Sequence, residues 1–217
     1  MATVLFDPIK TMARMTRRVA VLYSGGKDSA VVLDLCAKHF DEVHAYMFYW
    51  VKGLSTQERL RKWAEEHYGI TLQLFPHWGL SAMLRYGAYR EEDPSVPRVT
   101  PTHLLNHIRR ETGCQWIAGG ERIKDSIWRN AMIKKSGSIC DKKKRFYPVA
   151  YWTKQQVLGY LKHYRIPFTE VAEDPMYIAC MKDELPDDYQ KVKAYFPWID
   201  VYAKRRYKAL GLSEVPH

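Results

Sequence analysis

The chain has 217 residues, 47% hydrophobic and 27% charged, with a formal net charge of +10. That length and balance fit one domain with a real core and exclude a disordered chain. No apolar run approaches a bilayer span and the N-terminus lacks the apolar stretch of a signal peptide, so a cytoplasmic, non-membrane protein is expected.

Residues 1–18 place Phe6, Ile9, Met12 and Met15 at spacings of three, which predicts a short helix. Val19-Ala20-Val21-Leu22 is a short apolar run that reads as a buried first strand. It runs into Tyr23-Ser24-Gly25-Gly26-Lys27-Asp28-Ser29, and Ala30 to Ala37 then read as a helix packed on a sheet. Val43 to Trp50 are rich in strand formers and give a second strand. Ser55, with Glu58 three residues on, has the pattern of a capping box, and Gly69 suits the helix end. Ile70 to Phe75 form a third strand, stopped by Pro76. Residues 76–99 predict an irregular or short-helical excursion over a site. Thr100, Pro101 and Gly113 bracket another helix. Cys114 to Ala118 make strand four, broken by Gly119-Gly120, and Arg145 to Val149 make strand five. Thr153 and Gln156 form a second capping box. Tyr189, Val192, Tyr195 and Phe196 mark one late helix, and Ile199, Tyr202 and Tyr207 another.

Strands alternating with helices predict an α/β fold. The expected form is one domain over 1–217: a doubly wound sheet of about five mainly parallel strands with helices on both faces. Its core spans about 16–168, and a helical extension about 169–217. In such sheets ligands bind beyond the carboxyl ends of the strands, at a switch in strand order that strand one should flank.

The Ser24–Ser29 loop joins a strand to a helix start. Its glycines allow close backbone approach, and the first helical amides lack intrahelical partners. Ser24 and Ser29 add hydroxyls and Lys27 a charge, so a phosphate, pyrophosphate or sulfate is the expected guest. The loop is not a Walker A motif: Val21 stands five before Gly26, and Asp28 separates the lysine from the serine. After strand four, Gly120, Arg122, Lys124, Ser126 and Arg129 form a second basic segment. Arg122 and Arg129, seven apart, would share a helix face and suit bidentate grip on an anion.

The four cysteines, Cys36, Cys114, Cys140 and Cys180, are far apart, with no CxxC pair. Reduced thiols are expected, with no structural zinc, no iron–sulfur cluster and no disulfide scaffold. His103 and His107, at i, i+4, lack the glutamate of HExxH and read as structural or surface residues. The pairs and runs Asp187-Asp188 and Glu91-Glu92-Asp93 read as solvated carboxylates.

The loop resembles the SGGxDS loop of the ATP-pyrophosphatase (PP-loop) superfamily. The Gly120-Glu121-Arg122 segment with Ser126 and Arg129, and the Pro148-Val149-Ala150-Tyr151-Trp152-Thr153…Val157…Tyr160-Leu161 segment before Ile166-Pro167, follow in the order of the phosphoadenosine phosphosulfate (PAPS) reductase family. The resemblance covers residues 19–168. It implies an adenine-nucleotide-binding enzyme taking ATP, adenylyl sulfate or PAPS. Ser24, Gly25, Gly26, Lys27, Asp28 and Ser29 would hold the phosphate or sulfate chain. Gly120, Arg122, Ser126 and Arg129 would hold anionic groups, Phe48 and Tyr49 would meet the adenine, and Lys142 to Arg145 a further phosphate. Lys27 and Asp28 would be catalytic, with Asp28 on a Mg²⁺ ion that accompanies ATP.

Reductases of this family use a C-terminal Glu-Cys-Gly-Leu-His segment. Here Gly211 to His217 contain no cysteine. The expected reaction is therefore cleavage of ATP between its α- and β-phosphates with adenylation of a substrate, or the handling of a sulfated adenylate. Three alternatives stand beside it. A true sulfonucleotide reductase would use Cys140 or Cys180 as the thiol nucleophile, with a thioredoxin-like dithiol partner; the cations beside Cys140 favour a thiolate. An adenylyltransferase like FAD synthetase is the second, and a nucleic-acid-binding or modifying protein using the basic surface the third. A homodimer is compatible with all of them.

Overall fold

The computed structural model describes residues 7–86, 91–169, 182 and 184–201. In chain order the elements are α1 (Pro8–Met15), β1 (Arg18–Leu22), α2 (Lys27–His39), β2 (Glu42–Tyr49), α3 (Ser55–Tyr68), β3 (Leu72–Pro76) and α4 (Trp78–Tyr86). They continue with α5 (Pro101–Thr112), β4 (Ile117–Ala118), α6 (Ile127–Ser136), β5 (Ile139–Cys140), β6 (Arg145–Phe146), α7 (Lys154–Tyr164) and α8 (Pro186–Tyr195).

The strand order is β3-β2-β1-β4-β6-β5. All neighbours are parallel except β5 and β6, a short antiparallel hairpin at one edge. The α/β sheet thus has six strands. Its sixth, β5, is two residues long and too short to leave an alternating pattern in the sequence. The fifth predicted strand is cut to Arg145–Phe146, because the chain turns at Tyr147, where the Ala150 amide bonds the Tyr147 carbonyl. The order reverses between β1 and β4, as the reading of strand one required.

Side chains alternate across the sheet with period two. Val19, Val21, Ala45 and Met47 join a core with α1, α2 and α7, which also takes Ala64 of α3. Ala20, Tyr46 and Phe48 face the other way, onto Ile108 of α5. On the first face the buried carboxylate of Asp34 ties three helices together, accepting from Tyr68, Tyr160 and Lys38. Of the N-terminal residues read as one face, Ile9 and Met12 are buried and Met15 is exposed, while Phe6 lies outside the described residues.

Local signals set several helix ends. Thr100 caps α5, Thr153 and Gln156 complete the capping box of α7, and Gly69 and Gly113 end α3 and α5 with positive φ. The Ser55 prediction fails. Leu54 occupies the cap position, and Ser55 is already helical. The first amide of the helix, that of Ser55, is met by Asp188, 1% exposed, from α8. Its carboxylate accepts from the Ser55 amide at 2.9 Å and from the Ser55 hydroxyl at 2.6 Å. Asp188 is therefore not a solvated carboxylate. The same helix buries Tyr189, Val192 and Phe196 against Val51 and Leu54, so the described part of the C-terminal extension is packed on the body. Glu92 pairs with Arg85 at 2.6 Å, so the acidic run near it is tied into its own loop. Tyr202 and Tyr207 lie outside the described residues. Among the described residues, no helix is long and apolar enough to cross a membrane.

Candidate functional site

At the switch between β1 and β4 a cavity of about 450 Å³ opens above the carboxyl ends of the strands. One wall is the loop from β1 to α2. Gly25 makes its sharp turn at φ +77°, and a Cβ there would sit 2.8 Å from Leu60, so the position demands glycine twice over. The Ser29 hydroxyl donates to the Gly26 carbonyl at 2.9 Å and lies 3.0 Å from the Ser24 hydroxyl. Ser24 Oγ accepts from the Gly26 amide, and Ser29 Oγ from the Ser24 amide. The two serines thus brace the loop from inside rather than adding donors toward the cavity. What faces the cavity is the start of α2, capped by Gly26 with no side-chain hydrogen bond. The chain is fastened there by a bond from the Thr169 amide to the Gly25 carbonyl at 2.9 Å.

The second wall comes from the end of β4. A Cβ on Gly120 would lie 3.0 Å from the Ser29 amide nitrogen and 3.2 Å from the Asp28 carbonyl carbon. Glycine at this position lets the two segments meet backbone to backbone. Arg122 is 5% exposed and lies beneath the loop rather than on the wall. Its Nε stands 2.8 Å from Asp28 Oδ1, its Nη2 2.8 Å from Asp125 Oδ1, and Nη1 donates to the Trp152 carbonyl at 3.3 Å. Arg122 and Arg129 do not share a helix face, since α6 begins only at Ile127. They converge instead on Asp125, which Arg129 reaches at 3.0 Å. Ser126 caps α6 by accepting from the Arg129 amide. Arg129 itself lines the cavity; Arg122 and Ser126 act through their neighbours.

Asp28 lies between two cations, with Lys27 Nζ 2.6 Å from Oδ2 and Arg122 at Oδ1. Arg122 Nε and Asp28 Oδ1 are within ion-pair distance but not aligned as a hydrogen bond, so Oδ1 keeps acceptor capacity. Asp28 positions Lys27 and Arg122 through their charges. Glu121 lines the cavity and pairs with Arg145 at 2.7 Å. Lys154, at the first position of α7, lines it too and has no ion pair among the described residues. Around the cavity five cations (Lys27, Arg122, Arg129, Arg145, Lys154) stand against three carboxylates (Asp28, Glu121, Asp125), a field suited to an anion.

The far end is aromatic. Phe48 and Trp78 line it, edge to face at 5.6 Å. His77 stacks on Trp50 at 4.5 Å behind them, and burial pushes its pKa down to about 4. Burial also raises the Tyr23 phenol, whose hydroxyl has no hydrogen-bond partner among the described residues. Tyr49 pairs with Pro76 at the end of β2 and does not line the cavity.

Of the predicted site residues, the fold brings Ser24, Gly26, Lys27, Asp28, Ser29, Phe48, Gly120 and Arg129 to one cavity, with Gly25 behind its turn. Cys140 is not among them. It is buried at the sheet edge opposite Arg145, the first residue of β6, and Cys36 and Cys114 are buried as well. Cys180 lies outside the described residues. Lys142 and Lys143 are exposed in the turn before β6 and Lys144 pairs with Asp141, while Arg145 of that run reaches the cavity edge through its pair with Glu121. Trp78, Lys154 and Thr169 were missed by sequence reasoning. Lys154 alone left a signal, standing next to the capping threonine of the third motif.

The model of the phosphoadenosine phosphosulfate reductase domain matches residues 18–177, most of the chain. The chain belongs to this family. Its members and structural neighbours are enzymes of the PP-loop class, and sulfur metabolism and adenine-nucleotide binding are the family's setting. No curated protein matches the sequence. Among solved structures, the PAPS reductase of Candida auris in its phosphate complex matches with a TM-score of 0.50 and 15% identity, over 77% of this chain and 84% of that one. The NH3-dependent NAD synthetase of Campylobacter jejuni, bound to nitrate, has a TM-score of 0.50 at 14% identity, over 96% and 93%. The U34-tRNA thiolase NcsA of Methanococcus maripaludis has 0.49 at 19%, over 93% and 77%. At these identities the likeness is one of fold.

The thiolase corrects one expectation. It carries a [4Fe–4S] cluster, so the exclusion of an iron–sulfur cluster from cysteine spacing does not stand. Cluster ligands are gathered by the fold, and distance along the sequence says little about distance in space. Among the described residues, no three His, Cys, Asp or Glu side chains converge as a metal group; His103 is exposed and His107 packs on Phe75.

Proposed function

We propose that this PAPS reductase-family enzyme binds an adenine nucleotide, ATP or a sulfated adenylate, with its anionic chain on the Ser24–Ser29 loop and its base beside Phe48 and Trp78. The carrying observation is the start of α2: a helix N-terminus with no side-chain cap, held by the close approach of Gly120, opening on a cavity ringed by Lys27, Arg129 and Lys154. Helix amides and the macrodipole favour an anion there.

With ATP, a nucleophile on the second substrate attacks the α-phosphorus and the bond to the β-phosphate oxygen breaks. Pyrophosphate leaves, and the substrate is adenylated. Negative charge grows on the leaving oxygen, and donors fixed before the reaction stabilise it without reorganising. In this reading the α2 amides and Lys27 perform that task. Asp28 holds Lys27 in register at 2.6 Å. Reductase chemistry is less well supported, because the three described cysteines are buried and none lines the cavity.

The test is calorimetric titration with ATP, adenylyl sulfate, PAPS and adenosine 3′,5′-bisphosphate, with a Ser24→Ala/Lys27→Ala variant alongside. Preference for ATP supports pyrophosphate release; preference for PAPS and the bisphosphate would move the reading to a sulfonucleotide substrate. Equal binding by the variant, or no binding of any nucleotide, sinks it.

A further inference from the structure

Ile127 and Trp128, on the first turn of α6, are each 87% exposed, more than any other large hydrophobic residue described. Tryptophan is highly buried on average, so an indole held in water is unusual. No ring contact to it is present among the described residues. The core does not need it: α6 turns Ile133 and Met132 inward, onto Tyr147 and Ala150.

The outer face of α6 is continuous. Trp128, Ala131 and Lys135 stand at i, i+3 and i+7, and Ile127, Ala131 and Lys134 at i, i+4 and i+7, all of them exposed. The helix contains no Asp or Glu. Over its length of about 15 Å, the face runs from a flat aromatic plate to a pair of lysines. The aromatic end adjoins Arg129, which lines the nucleotide cavity, and Lys124 is exposed just before it.

We infer that a single-stranded nucleic acid docks on this face, with one base stacked on Trp128 and its phosphates running toward Lys134 and Lys135. A bare indole offers a π-face, which every base matches, and a cationic row without carboxylates fits a polyanion. An apolar protein surface would cover Trp128 but leave the lysines unmatched. Where it names the second substrate, the inference rests on the adenine-nucleotide reading: the strand lies next to the cavity in which activation is proposed.

The test is fluorescence anisotropy with labelled single-stranded RNA and DNA of about ten nucleotides, across a salt series, with ATP titrated calorimetrically into the same samples. Trp128→Ala should weaken oligonucleotide binding roughly five- to a hundred-fold, while Trp128→Phe keeps most of it. Lys134→Gln/Lys135→Gln should lower the salt slope by about 0.7 for each phosphate no longer neutralised. All three variants should bind ATP as the parent does, because none of these side chains lines the cavity. The RNA and DNA arms identify which strand is the ligand. Absence of binding to both, or undiminished binding by Trp128→Ala, overturns the inference. So does self-association that depends on Trp128 while oligonucleotide binding does not. If oligonucleotides bind through Trp128 and ATP does not bind, the docking surface stands and the nucleotide reading falls.

Discussion

Among the described helices α2, α3 and α8 begin without a side-chain cap in the N-cap position, and the fold treats the first two differently. At α3 the cap position is Leu54, and the amide and hydroxyl of Ser55 are met by a buried carboxylate, Asp188, from α8. At α2 the cap position is Gly26, no side chain answers, and the amides face a cavity edged with lysine and arginine. The first end shows what a bare helix start takes when the protein supplies it: an anion with several acceptor positions. The second has the same need and the opposite provision, because the nearest carboxylate, Asp28, is turned onto Lys27 and Arg122. That contrast underlies the proposal that the α2 start is a binding end, and four experiments can break or sharpen it.

Asp188→Ala should have the largest effect. It removes three charge-assisted hydrogen bonds from a buried helix end and is expected to cost about 3 kcal/mol, read as a lower midpoint in urea with nucleotide affinity per folded molecule unchanged. If stability held, α3 would not need its anion, and the analogy with α2 would fail. Lys27→Ala should do the reverse: affinity for ATP or PAPS falls roughly thirty-fold, about 2 kcal/mol, while the urea midpoint moves little. Gly120→Ala presses a methyl group onto the Ser29 amide at 3.0 Å. It should displace the start of α2 and lower nucleotide affinity about ten-fold. Affinity equal to the parent's would mean that the close approach of β4 does not shape the site.

His77 links the two regions, stacked on Trp50 of the α3–α8 cluster and tilted against Trp78 of the cavity wall. Its pKa is about 4 in the folded protein against an ordinary 6.5. As pH falls, the unfolded chain binds this proton first, near 6.5, and the folded chain only near 4. Its contribution is therefore whole above pH 6.5, is lost between 6.5 and 4, and is constant below. Allowing for its partial exposure, the loss should be about 1 kcal/mol, seen as a difference between the pH–stability curves of the parent and His77→Phe. Superimposable curves would refute it.

Much of this was legible in the sequence because it depends on neighbours along the chain. The strand–loop–helix around Gly25 and Gly26, the caps at Thr100 and Thr153, and the ends at Gly69 and Gly113 are set by local backbone chemistry, and each was read from a few adjacent residues. Strand four was placed at its carboxyl end, although only Ile117–Ala118 of the expected Cys114–Ala118 are paired, and Gly120 after it meets the first loop. The misreadings have one cause. Ser55 looked like a cap, but the anion at that helix start comes from Asp188, more than a hundred residues away in sequence. Arg122 looked like a ligand grip, yet Asp28 and Asp125 hold it beneath the loop.

The sequence by itself determined the α/β class, the order of its main elements, the family and the strand–loop–helix on which an anion site is proposed, since these rest on periodicity and short motifs. Only the tertiary structure decided which charges are already paired, which residues from later segments line the cavity, and which helix starts are filled. Pairing and burial are set by distances in space, and the chain brings Trp78, Lys154 and Thr169 to Ser24 only by folding.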